Sequence, residues 1–90
     1  MTTRRVVITG RVQGVGFRWT AATEAERIGV AGSIRNLADG TVEVVATGEV
    51  QAVDRFTEWL RVGPQGARVD DIETEDLPDA DPAPAGFRIL

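Results

Sequence analysis

Gly10-Arg11-Val12-Gln13-Gly14-Val15-Gly16-Phe17-Arg18 is the stretch on which both the fold and the chemistry of this chain turn. It follows a run of β character, Arg4 to Thr9, in which Val6 and Ile8 alternate with other residues, and it leads into a helical run that begins near Phe17. A glycine-rich bend between strand and helix gathers backbone N–H groups at a helix N-terminus. Both features favour an anion, phosphate above all. Arg18 falls in the first helical turn, where its fork of five donors can close over that anion. Arginine is out of place at the positive end of a helix dipole, and a bound anion resolves the conflict.

Outward from this bend, the pattern predicts a helix over Phe17 to Ile28, with Phe17, Ala21, Ala25 and Ile28 on one face and Gly29 as C-terminal cap. Two β-type runs follow, Gly32 to Leu37 and Thr41 to Thr47, the latter with Val42, Val44 and Ala46 on one face. Asp39-Gly40 between them is a hairpin-turn signal. A second helix is expected from Glu49 to Val62, with Val50, Val53, Phe56, Trp59 and Leu60 inward and Gly63-Pro64 as its stop. Ala67 to Glu75 reads as a fourth strand whose alternation breaks around Asp70-Asp71. Leu77 to Ala85 reads as a connector, and Phe87 with Ile89 as a short last strand. The order β-α-β-β-α-β predicts an α+β, ferredoxin-like sandwich in one domain over residues 1–90, a four-stranded antiparallel sheet with two helices on one face. That topology hosts many functions and decides none by itself.

Composition narrows the chemistry. The net charge is −4, and all ten basic residues are arginine. An acidic chain is a poor general binder of nucleic acid, which draws affinity from neutralised phosphates, yet it can hold one small anion at a local cluster. The absence of His, Cys, Lys and Tyr leaves no side chain that ordinarily titrates between about pH 5 and 9. The usual general base, the thiolate and the Schiff-base lysine are thereby removed, and with them the commonest metal ligand. No apolar run reaches membrane-spanning length and no signal-peptide core follows the first residues, so a cytoplasmic protein is expected.

Each candidate residue has a bland reading beside the chemical one. Gly14 and Gly16 could merely relieve a tight turn; their spacing is neither that of a Walker loop nor that of a dinucleotide fingerprint. Asn36, near the end of the second strand, could be a satisfied polar residue, or its amide could orient a water towards a bound phosphate. Trp19 and Trp59 suit core packing or surface cover better than ligand stacking. The acids between Asp70 and Asp81 lack the spacing of a calcium loop and read as a solvated edge.

Together, residues 10–18 and the second segment, Gly32-Ser33-Ile34-Arg35-Asn36-Leu37-Ala38-Asp39-Gly40-Thr41-Val42-Glu43, resemble the two signatures of the acylphosphatase family. Length and element order agree along the whole chain. The resemblance implies hydrolysis of acyl phosphates to a carboxylate and inorganic phosphate, without metal, cofactor or phosphoenzyme. By motif position, Arg18 and Asn36 would be catalytic, the arginine binding phosphate and the amide orienting water. Arg11, Val12, Gln13, Gly14, Val15 and Gly16 would supply the phosphate-binding backbone. Many relatives end just past the last strand, which places Leu90 to pair its terminal carboxylate with Arg18. Ser33 and Thr20 depart from aromatic residues usual in the family and put packing beside the site in question. The expected partners are small molecules, acyl phosphate and inorganic phosphate, acting on a monomer without nucleic acid or membrane. The alternative is a non-catalytic anion-binding module related to carbamoyl-phosphate-processing domains. An RNA-binding sheet would want exposed aromatics on its strands, and those are missing.

Overall fold

The computed structural model describes residues 1–77 and 85–90. Its elements are β1 (Thr2–Arg11), α1 (Phe17–Ile28), β2 (Ala31–Asn36), β3 (Val42–Gly48), α2 (Val50–Val62), β4 (Arg68–Asp76) and β5 (Phe87–Ile89). The expected elements are all present, with ends shifted by one or two residues. The connector read over residues 77–85 lies mostly outside the described residues.

The sheet departs from the four-stranded antiparallel expectation. Five strands join in the order β4-β1-β3-β2-β5, and β5 runs parallel to β2. The direction follows from where the chain stands. β4, antiparallel to β1, ends beside the start of β1 at Arg4, on the edge of the sheet where β2 also begins. A strand entering from that edge on the far side of β2 must run the same way as β2. Its Leu90 N–H donates to the Ile34 carbonyl (2.9 Å) and the Gly32 N–H to the Gly86 carbonyl (3.0 Å), occupying backbone groups that an uncovered edge would leave open. The ends of β1, β2 and β5 therefore share one rim of the sheet, and α1 begins at that rim because it follows β1 directly.

Strand alternation puts Val6, Ile8, Ile34, Val42, Val44 and Ala46 on one face, all at 1% exposure or less. The helices cover that face with Phe17, Ala21 and Ala25 from α1 and Val53, Phe56 and Leu60 from α2. Phe56 is packed between Trp59 (centroids 6.3 Å, stacked) and Phe87 (5.6 Å, edge-on). Each such buried ring contributes about 1.5–3 kcal/mol relative to exposure. One inward expectation fails. Val50 is 53% exposed, because it is the first residue of α2 and the inward face starts a turn later, at Val53. Of the two tryptophans, read as core packing or surface cover, Trp19 is 72% exposed and Trp59 packs on the core.

The broken alternation in β4 has a local cause. Thr9 pairs with Asp71 but Gly10 pairs with Val69, so Asp70 is an extra residue in the ladder. The bulge lets Val69 and Ile72, three apart, both pack on the core. Gly10 is required opposite it: its φ is +139°, and a Cβ there would run into the Arg68 carbonyl.

Candidate active site

β1 ends at Arg11 and α1 starts at Phe17, so residues 12–16 must reverse the chain at the rim. Gly14 (φ +77°) and Gly16 (φ +75°) make this possible by adopting the left-handed conformation, which costs a residue with a Cβ about 1–2 kcal/mol. A Cβ at either would meet nothing within 4 Å; conformation, not space, demands glycine here. Gly16 is the N-cap of α1, makes no side-chain cap, and is followed by no acidic residue in the first turn. Among the described residues, no N–H from Gln13 to Trp19 has a recorded protein acceptor; the first closing bond is Thr20 N–H to the Gly16 carbonyl (3.0 Å). These donors are available to a ligand.

The rim holds a cavity of about 180 Å³ lined by Val12, Gly14, Gly16, Phe17, Arg18, Trp19, Asn36 and Ile89. Arg18 and Asn36, eighteen residues apart in sequence, thus reach one hollow with the glycine bend. Among the described residues that line it, Arg18 alone has a charged side chain. Its Nη1 donates to the main-chain oxygen of Leu90 at 3.0 Å, a hydrogen bond to the residue whose terminal carboxylate the resemblance would pair with it. That contact steers the guanidinium and leaves its other donors free. Arg11, Gln13 and Val15, expected in the cradle, do not line the cavity; Arg11 is exposed and Val15 leans on the core.

The Gln13 side chain has a different task, which no local pattern signals. Its Nε2 donates to the Leu37 and Thr41 carbonyls, each at 2.9 Å. These two carbonyls close the turn between β2 and β3: Leu37 N–H donates to Thr41 O (2.8 Å) and Gly40 N–H to Leu37 O (3.1 Å). Gln13 therefore ties the glycine bend to the turn that begins one residue after Asn36. Within the turn, Asp39 Oδ1 accepts from the Thr41 hydroxyl (2.6 Å) and N–H (3.0 Å). Those bonds, the hydroxyl foremost, hold the Asp39 carboxyl below its ordinary pKa. Asp39 and Gly40 are turn formers, as expected.

Arg35 is an exposed strand residue of β2 that is also ion-paired. It donates to Glu43 Oε1, and Arg5 donates to Oε2, both at 2.7 Å. Burial pushes the Glu43 carboxyl up, and the hydrogen bonds and charges of Arg35 and Arg5 outweigh that push, leaving it below its ordinary value. Glu43 alternates with the inward Val42 and Val44, so this cluster lies on the sheet face away from the helices. Ser33, paired with Val45 between the buried Gly32 and Ile34, belongs to that open face too. Its departure from the aromatic residue bears on the open face, not on packing beside the cavity. The carboxylates Asp70, Asp71, Glu73, Glu75 and Asp76 are exposed along β4, an outer strand of the sheet. No helix among the described residues is long and apolar enough to cross a membrane.

A sequence model described as Acylphosphatase matches residues 4–89. A Yersinia pseudotuberculosis protein named Acylphosphatase is 53% identical over 72 residues, 79% of this chain and 78% of that protein. One of the same name from Halorhodospira halophila is 49% identical over 85 residues, 94% of this chain and 90% of that protein. Among solved structures, the crystal structure of acylphosphatase from Bacillus subtilis superposes with a TM-score of 0.95 at 34% identity, covering 100% of this chain and 99% of that one.

Proposed function

The chain belongs to the acylphosphatase family, and on that premise we propose how its residues carry out the reaction. It is an acylphosphatase: it hydrolyses the carboxyl–phosphate bond of acyl phosphates to a carboxylate and inorganic phosphate. The phosphoryl group sits in the glycine bend, its oxygens meeting the free N–H groups between Gln13 and Arg18 and the Arg18 guanidinium. The Asn36 amide orients a water opposite the leaving carboxylate. That water's oxygen bonds to phosphorus as the bond from phosphorus to the acyl oxygen breaks, and the water's proton passes to a phosphoryl oxygen.

The chemistry suits a chain without His, Cys, Lys or Tyr. A leaving carboxylate whose conjugate acid has a pKa of about 4 needs no general acid. A loose phosphoryl-transfer transition state asks for position and charge stabilisation above all. Arg18 and the backbone donors supply both, so the reading requires no metal or cofactor. We take the protein to act as a cytoplasmic monomer on small-molecule acyl phosphates, with neither nucleic acid nor membrane as partner.

The observation that carries this reading is the meeting of Arg18, Asn36 and the glycine bend in one hollow. The test is hydrolysis of benzoyl phosphate in excess EDTA. Arg18→Ala should weaken competitive inhibition by inorganic phosphate and lower kcat/KM by about 10²-fold or more. Asn36→Ala should lower kcat with a smaller loss of phosphate binding. Equal losses of phosphate affinity in the two variants would contradict these roles. Folded protein that binds phosphate without turnover would point to the anion-binding module instead.

A further inference from the structure

Two hollows meet at the rim. The first, of about 180 Å³, holds Arg18 and Asn36. The second, of about 320 Å³, lies between α1 and β5 and is lined by Trp19, Ala22, Thr23, Glu26, Phe87 and Ile89. Trp19 and Ile89 line both, so the two form one trough, with Arg18 and Asn36 at the cradle end and the Trp19, Phe87 and Ile89 side chains along the way out. Trp19 is 72% exposed, Ile89 41% and Leu90 62%. They make up half of the six large hydrophobic residues that stand exposed among the described residues. Clustered apolar exposure beside a charged hollow marks a binding surface, where scattered exposure would not.

We propose that Trp19 and Ile89 form the seat of the substrate's acyl group, and that Trp19 makes the enzyme favour acyl phosphates whose acyl group presents a flat apolar face. This rests on the acyl-phosphate reading of the neighbouring hollow. An acyl phosphate has a charged end and a carbon end. With the phosphoryl group held by Arg18 and the glycine bend, the carbon end must leave the cradle, and the trough along α1 offers it the exposed indole of Trp19 and the Ile89 side chain. The indole offers a broad face for a ring or chain, held in place by only two side-chain torsions.

The experiment compares kcat/KM for benzoyl phosphate and acetyl phosphate in wild type, Trp19→Ala and Trp19→Phe. The exposure of Trp19 leaves folding of both variants intact. Wild type should favour benzoyl phosphate. Trp19→Ala should lower the benzoyl-to-acetyl ratio about five- to tenfold, the scale of one lost aromatic contact, and Trp19→Phe should hold it within about twofold of wild type. A ratio unchanged in Trp19→Ala overturns the acyl seat while leaving the phosphatase reading standing. Failure of wild type to hydrolyse either substrate overturns the phosphatase reading and the seat with it.

Discussion

Gln13 offers the sharpest test of how the site is held. Gln13→Leu keeps the side-chain bulk and removes two donated hydrogen bonds, each 2.9 Å in the wild type. A net hydrogen bond contributes about 1 kcal/mol, and a buried acceptor left unpaired costs a further ~1–3 kcal/mol. The second penalty does not apply here, because the Leu37 and Thr41 carbonyls each keep a backbone N–H partner. The loss should therefore be about 1.5–2 kcal/mol, or a fall in Tm of roughly 6–15 °C for a domain of this size. Because the tie joins the glycine bend to the turn after Asn36, kcat should fall about tenfold while inhibition by inorganic phosphate changes little. Gln13→Glu should do worse at neutral pH, setting a carboxylate against two carbonyl oxygens. Its folded-state pKa would be raised, so its deficit should narrow as the pH falls below about 5 and the acid regains a donor. Thermal unfolding and benzoyl phosphate kinetics on the two variants measure all of this. A Gln13→Leu protein with wild-type Tm and wild-type kcat would refute the tie.

Further outcomes follow from the same structure. Glu43 has a folded-state pKa below its ordinary value, so its contribution to stability is present above about pH 4.5 and is lost as the pH falls through the folded pKa. Gln at position 43 should flatten the decline of unfolding free energy in acid, measured by urea titration from pH 6 to 3; an unchanged slope would count against it. Gly63→Ala combines a φ of +71° with a Cβ 2.8 Å from Phe17 Cε2, and should cost about 1–3 kcal/mol by chemical denaturation. Removal of Leu90 takes away the acceptor of Arg18 Nη1 and a β5–β2 hydrogen bond; KM for benzoyl phosphate should rise a few-fold, and an unchanged KM would show that the contact does not steer Arg18.

What the sequence determined by itself was everything governed by near neighbours in the chain. Alternation placed Val6, Ile8, Val42, Val44 and Ala46 inward, helical spacing did the same for Phe17, Ala21 and Ala25, and Asp39-Gly40 marked its turn. The two signatures named the family, with Arg18 and Asn36 as its candidate site residues. The tertiary structure decided what depends on residues distant in sequence. The fifth strand is parallel because β4 delivers the chain to the edge where β2 begins, and the bulge at Asp70 exists only as a register between β1 and β4. Gln13 reads as part of a phosphate loop, yet its amide is turned to carbonyls 24 and 28 residues away. Trp19 suits core packing or surface cover as a residue type; it stands exposed beside the cavity, a place that depends on β5 reaching the same rim. Side-chain period is a property of one segment, whereas register, strand direction and the convergence of three strand ends are properties of the packed sheet.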